Sequence, residues 1–236
     1  MAGLSRRRLL AGGARVAGAG ALLGLAQEAM RPRAPEYPAT TTTTRGRPVV
    51  RPPGALEDGA FLAACIRCYR CQDACEPGAI QFFGESWGRH QHTPYVDASL
   101  RACTLCMKCT QVCPTPALGR LEPRERAKAR MATVELREDL CLSHKAKRIR
   151  AEQSELRAAG RAATEATAAL ERRGPCGECY MVCPLRERAI ALEPGAFLAP
   201  VVFAEKCAGC GLCEEICRVI LRGDPAIRIK PTRELA

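Results

Sequence analysis

Cys65-Ile66-Arg67-Cys68-Tyr69-Arg70-Cys71-Gln72-Asp73-Ala74-Cys75 decides how this chain is read. Its four cysteines are separated by two, two and three residues. The same spacing returns at Cys103, Cys106, Cys109 and Cys113, and again at Cys207, Cys210, Cys213 and Cys217. A further block keeps Cys176, Cys179 and Cys183. Arg173 stands where its first cysteine would fall, and Cys141 is left over upstream. The 16 cysteines of the 236-residue chain therefore sort into four sets of four.

The spacing has a chemical reason. A [4Fe–4S] cubane offers four iron corners, and each takes a soft thiolate. Three cysteines at two-residue intervals wrap three corners with one tight loop, and the fourth cysteine of such a run reaches the other cubane of a pair. The motifs are therefore expected to work in twos, the first with the second and the third with the fourth. Cys65, Cys68, Cys71 and Cys113 form one expected set, and Cys103, Cys106, Cys109 and Cys75 its neighbour. By the same crossing, Cys141, Cys176, Cys179 and Cys217 form a third, and Cys207, Cys210, Cys213 and Cys183 the fourth. The cofactors expected are four [4Fe–4S] clusters, and the chemistry is electron transfer. Pro114 and Pro184 follow the last cysteines of their motifs, as the signature asks, whereas Glu76 and Arg218 take that place in the other two.

Two rivals compete for the same residues. Zinc sites use paired cysteines in separated knuckles, which fits consecutive two–two–three spacing poorly. Disulfides are invited by an even count in an exported chain, but thiols this crowded are badly placed for one orderly set of bridges. For Cys141 the rival is a free thiol.

Bulk composition narrows the function classes. Aromatic residues make up only 4% of the chain, so metal cages are expected to do part of the folding work. The formal charge of +11 suggests a nucleic-acid binder. Four oxidised clusters with their thiolates would add about 8 negative charges and bring that total to about +3. Arg6, Arg7, Arg8 and Arg15 against Glu28 account for most of the remainder. No nucleic-acid partner is expected, and no stacked-aromatic pattern supports one. A catalytic nucleophile–base set, a phosphate loop and a carboxylate dyad are not recognisable. The chain reads as an electron carrier, not an enzyme. His90, His92 and His144 are its only histidines; the first two read as an exposed loop pair, and none is given a role.

Residues 1–30 resemble a twin-arginine signal peptide. Ser5-Arg6-Arg7-Arg8-Leu9-Leu10 precedes a weakly apolar, glycine-rich run from Val16 to Ala26. That run is far short of the roughly 20 residues needed to cross a bilayer. Gly24-Leu25-Ala26 offers a cleavage pattern, and an uncleaved signal would leave a surface anchor. Periplasmic localisation follows, by the route that carries folded, cofactor-loaded chains. Residues 31–58 read as an extended linker, with six prolines and the run Thr40 to Thr44. A four-cluster ferredoxin domain is expected over 59–232, in halves 59–118 and 133–232.

The fold class expected is α+β, bacterial ferredoxin-like: two dicluster halves with short strands and helices and little regular structure. Candidate strands are Ala79–Phe83, Tyr95–Asp97, Thr133–Leu136, Ala189–Leu192, Val201–Phe203 and Ile227–Ile229. Pro123 is placed to open a solvated helix running to Met131. Residues 144–173, rich in Ala, Arg, Glu and Lys and free of proline, read as a helical insertion broken near Gly160. Its plainest reading is a surface excursion; a docking arm is the alternative.

The order of features resembles the NapG/MauM family of ferredoxin-type proteins. The likeness rests on the twin-arginine start and on Arg51-Pro52-Pro53-Gly54-Ala55 with Phe61 and Ala64 ahead of Cys65. It rests also on Cys179-Tyr180, Cys183-Pro184-Leu185 and Cys207-Ala208-Gly209-Cys210-Gly211. That family splits its third motif in the same way, with a Cys-Leu pair, here Cys141-Leu142, ahead of a loop; the resemblance thus implies that Cys141 is a ligand. The loop of 34 residues between Cys141 and Cys176 is a departure in length. The resemblance implies a relay from a membrane-bound ferredoxin-like quinol dehydrogenase to a periplasmic reductase, nitrate reductase among the options. Two alternatives stay open: an obligate iron–sulfur subunit of a molybdopterin oxidoreductase, or a maturation factor for an exported redox enzyme.

Overall fold

The computed structural model describes residues 50–161 and 176–232. The expected signal peptide, the linker up to residue 49 and the 162–175 part of the insertion lie outside the described residues. Within them, twelve short helices and strands carry the motifs: α1 Asp58–Ala64, α2 Arg70–Asp73, β1 Ile80–Phe82, β2 Pro94–Val96, α3 Lys108–Val112, β3 Ala132–Leu136, α4 Leu142–Ala158, α5 Glu178–Met181, β4 Ile190–Leu192, β5 Pro200–Val202, α6 Leu212–Leu221 and β6 Ile227–Pro231. Three 3-10 turns add Glu85–His90, Pro123–Lys128 and Ala204–Lys206.

The strands make three antiparallel pairs. β1 pairs with β2, Ile80 opposite Val96, and β4 pairs with β5, Ile190 opposite Val202. Each pair follows a motif, the first and the third, so the chain repeats one unit of cysteine loop, short helix and hairpin. The third pair, β3 with β6, sets Val134 opposite Ile229 and ties the middle of the chain to its end. All six strand positions fall where β-branched and aromatic residues cluster in the sequence. Alternate residues turn inward: Ile80, Val96, Val134, Ile190, Ile227 and Ile229 are buried.

Among the described residues, those from Val50 to Asp58, read from sequence as linker, are already mostly packed. Val50 forms an antiparallel bridge to Val96, and Pro52 and Pro53 are fully buried. Arg51 explains why this proline-rich stretch folds in. Its guanidinium donates to Asp58 Oδ1 at 2.8 Å, Thr93 Oγ1 at 2.9 Å and the Pro94 carbonyl at 2.9 Å. Its plane lies 4.6 Å from the Phe61 ring centre and 5.5 Å from that of Phe83. His90 Nδ1 completes the ring of partners at 3.0 Å from Nη2. His90 is thus buried, contrary to the exposed loop expected of it.

Two helical expectations are corrected in detail. Pro123 opens a 3-10 turn that ends at Lys128, not an α-helix to Met131. Glu125 accepts the Glu122 N–H and caps the turn, and Met131 N–H is already committed to the Ala208 carbonyl, 2.9 Å away. The expected insertion does start a helix, α4, but its first turns are packed, not excursive. Ser143 and His144 are buried, His144 Nε2 stands 3.1 Å from the Pro200 carbonyl, and Lys147 pairs with Glu193 at 2.6 Å. Gly160, at φ 71°, follows the C-terminal end of α4. No helix among the described residues is long and apolar enough to cross a membrane.

Candidate iron–sulfur sites

Each motif loop is built on left-handed backbone. The residue after the second cysteine has positive φ in all four: Tyr69 at 63°, Met107 at 63°, Gly177 at 62° and Gly211 at 85°. Where the first two-residue spacer is present, its second residue does so too: Arg67 at 57°, Leu105 at 56° and Gly209 at 72°. Side chains rarely tolerate this conformation. Here it curls the loop, which carries three thiols within seven residues in three motifs and two in the third. A short helix starts immediately afterwards, α2, α3, α5 or α6, and presents the third cysteine from its first turn.

The loops bring the thiols together across motifs. Cys65, Cys68 and Cys71 line one cavity together with Cys113, which comes from the second motif. Cys141, Cys176 and Cys179 line another with Cys217, which comes from the fourth. Neighbouring thiols raise one another within these sets and, at Cys213 and Cys109, between them. Burial first, then the neighbouring thiols of Cys65, Cys68 and Cys113, push the Cys71 thiol up to about 12. Cys179 is pushed up to about 12 by burial and by Cys141, Cys176 and Cys217. For Cys103 burial leads, and Cys109, Cys106 and Cys75 add to it, again to about 12. Cys213 is raised well above the ordinary thiol value by burial, with Cys210, Cys207, Cys179 and Cys183 as its charged neighbours.

As bare thiols, the buried cysteines resist ionisation because each thiolate would stand in a dry site beside others. A group carrying several positive irons removes that penalty, and proton release accompanies its binding. Among the described residues, no three His, Cys, Asp or Glu side chains converge as a single metal ion would require. The cavities lined by four thiols suit a cubane, which holds its ligands further apart than one zinc ion does. No cysteine pair forms a disulfide.

Cys141, the thiol that the sequence leaves isolated, is buried at the start of α4. Burial raises its pKa, while the N–H groups of His144 and Ser143 lower it. Ser143 then fixes the far side of the long loop: its hydroxyl accepts the Cys176 N–H at 3.1 Å. One turn of α4 thus holds both ends of the 34-residue excursion at the same site. Backbone donors also reach sulfur directly, Leu105 N–H to Cys103 at 3.4 Å, Gly209 N–H to Cys207 at 3.3 Å and Ala226 N–H to Cys217 at 3.2 Å. Such donors stabilise thiolate charge and set the potential of a bound cluster.

Sequence reasoning missed the Arg51–Asp58–His90 cluster that props the first site from behind. A lone arginine in a proline-rich stretch carries no spacing signal. It missed as well the pairing of Tyr69, inside the first motif, with His92, whose Nδ1 lies 2.6 Å from the phenolic oxygen. Tyr69 stacks on Phe82 at 4.2 Å between ring centres.

Sequence comparisons point to the same kind of site. A 4Fe-4S dicluster domain model matches residues 64–117, and a 4Fe-4S binding domain model matches residues 204–220. The methylamine utilization ferredoxin-type protein MauM of Methylorubrum extorquens is 32% identical over 98% of this chain and 90% of its own length. MauM of Paracoccus denitrificans is 30% identical over 97% of this chain and 88% of its own. The ferredoxin-type protein NapG of Escherichia coli is 30% identical over 96% and 85%. No solved structure matches the chain. Thiol cradles, domain models and near full-length likeness converge, and the chain belongs to the NapG/MauM family of ferredoxin-type iron–sulfur proteins.

Proposed function

We propose that this chain is a periplasmic electron-transfer protein that holds four [4Fe–4S] clusters in two dicluster halves. Its ligands are Cys65, Cys68, Cys71 and Cys113; Cys103, Cys106, Cys109 and Cys75; Cys141, Cys176, Cys179 and Cys217; Cys207, Cys210, Cys213 and Cys183. The observation that supports this reading is the crossing at two cavities: Cys113 lines that of Cys65, Cys68 and Cys71, and Cys217 lines that of Cys141, Cys176 and Cys179. Bound clusters supply reversible one-electron reduction. The chain supplies the rest. Its loops hold the thiols, its backbone N–H groups bias their charge, and buried residues such as Leu105 and Met107 keep water from the sites.

In this proposal electrons come from a membrane-bound ferredoxin-like quinol dehydrogenase and go to a periplasmic reductase. The twin-arginine start accounts for delivery, since it exports chains already folded around their clusters. The test is anaerobic. Membranes supplied with quinol should bleach the visible absorbance of the purified protein, and an added oxidoreductase acceptor should restore it. A loaded protein that stays oxidised beside quinol-reduced membranes of its own host would overturn the relay.

A further inference from the structure

We propose that the four thiol sets stand in single file in the order first, second, fourth, third motif, with the two halves joined at Cys103 and Cys210. The path therefore does not follow the sequence. The inference rests on the four-cluster reading above and adds its wiring.

The joint is a backbone contact between motif loops. Cys103 N–H donates to the Cys210 carbonyl at 2.9 Å. Next to it, Ala102 N–H donates to Glu215 Oε2 at 2.9 Å, and Met131 N–H donates to the Ala208 carbonyl at 2.9 Å. All three bonds bind the second motif, or a segment flanking it, to the fourth motif and its helix. Packing separates the sets in the same order. Cys65, Cys71, Cys75, Cys103, Cys109 and Cys113 belong to one apolar core, and Cys179 and Cys217 to another. Cys183 and Cys207, both of the fourth set, pack against both cores. The fourth set is therefore the one shared by the two halves, and the third stands beyond it.

Two glycines allow the loops to come this close. A Cβ on Gly211 would lie 2.3 Å from the Ala98 Cβ, and one on Gly209 would lie 2.3 Å from the Ala132 backbone N and O. Contacts this short force something to move. Gly211 and Ala98 are thus positioning residues for electron passage between halves. At the open end of the file, Cys68 is the one exposed cysteine of the sixteen, with Ile66 exposed beside it. These cysteines would hold the clusters in that order, and each cluster, when bound, would supply one-electron reduction by its neighbour on one side and reoxidation by its neighbour on the other, with external donor and acceptor at the two ends of the file.

The test is an iron-anomalous density map of the anaerobically purified full chain. The proposal expects four iron positions in file, with the Cys103-containing and Cys210-containing sets as the nearest pair between halves. Four positions in which the Cys65 or the Cys141 set makes the nearest contact would overturn the order and leave the cofactor count standing. Fewer than four positions would overturn the count. A second arm uses dipolar coupling between reduced clusters in pulsed electron paramagnetic resonance. Ala98→Val enlarges the contact opposite Gly211 from outside the motif loops and should weaken the coupling across the halves at unchanged iron content. Unchanged coupling in Ala98→Val with full iron would contradict the joint. If that variant loses iron, the density map of the parent decides alone.

Discussion

Replacing Asp58 with alanine should destabilise the first half of the protein without touching a single thiol. Arg51 and Asp58 approach to 2.7 Å with side chains only 5% and 3% exposed. Burial lowers the Arg51 pKa from its ordinary value, and the Asp58 charge is the largest influence opposing that. Alanine leaves the guanidinium in place without its carboxylate, next to Phe61 and Phe83. Removing one partner of a buried ion pair costs about 3–5 kcal/mol, out of a typical domain stability of about 5–15 kcal/mol. With a guanidinium slope of about 4 kcal/mol per molar, the midpoint should fall by about 1 M. The assay is anaerobic guanidinium titration, followed by the sulfur-to-iron charge-transfer absorbance. Arg51→Met combined with Asp58→Leu should recover part of the loss, because it leaves no orphaned charge. A midpoint for Asp58→Ala within about 0.2 M of the parent would refute the reasoning, since a pair that buried cannot be lost cheaply.

Three further outcomes follow from the same structure. Cys141→Ser should lower iron from about 16 to between about 12 and 15 per chain and convert one site to a labile or three-iron form; iron and paramagnetic spectra equal to the parent would mean that Cys141 is not a ligand. Ser143→Ala removes the acceptor for Cys176 N–H, a change of about 1–3 kcal/mol when the donor stays buried, and should speed iron loss from that site alone, as read by chelator-competition kinetics. Arg6→Lys with Arg7→Lys, and a triple replacement including Arg8, should retain the protein in the cytoplasm on cell fractionation; normal export of the triple variant would contradict a twin-arginine address.

The cysteine spacing pointed to the sites because three ligands of a cubane can come from one tight loop, so in three of the four motifs seven consecutive residues carry the signal, while the third set splits it between Cys141 and Cys176. The strands were legible for a related reason: Ile80, Val134, Ile190 and Ile227 mark short β-branched runs between turn residues, and each strand lies at its expected place within a residue or two. What the sequence does not record is long-range. Nothing in Ala132–Leu136 says that its partner is β6, and nothing in Arg51 says that Asp58, Thr93 and His90 surround it. The Pro123 segment misleads because helix propensity is high there, while the commitment of Met131 to Ala208 ends the turn early. The insertion misleads in the opposite sense. Its charged composition suggests a solvated arm, yet Ser143, His144 and Lys147 dock it onto the loop of the third site and onto β5. A left-handed backbone at Tyr69 and Met107 is equally invisible in residue type, since neither favours it.

The central claim is that sixteen thiols hold four cubanes. Iron, acid-labile sulfide and zinc, measured together on anaerobically purified full-length protein, test it most directly. The account predicts about 16 iron and about 16 sulfide per chain with negligible zinc. Iron and sulfide near half those values in folded protein, or zinc in stoichiometric amount, would contradict it.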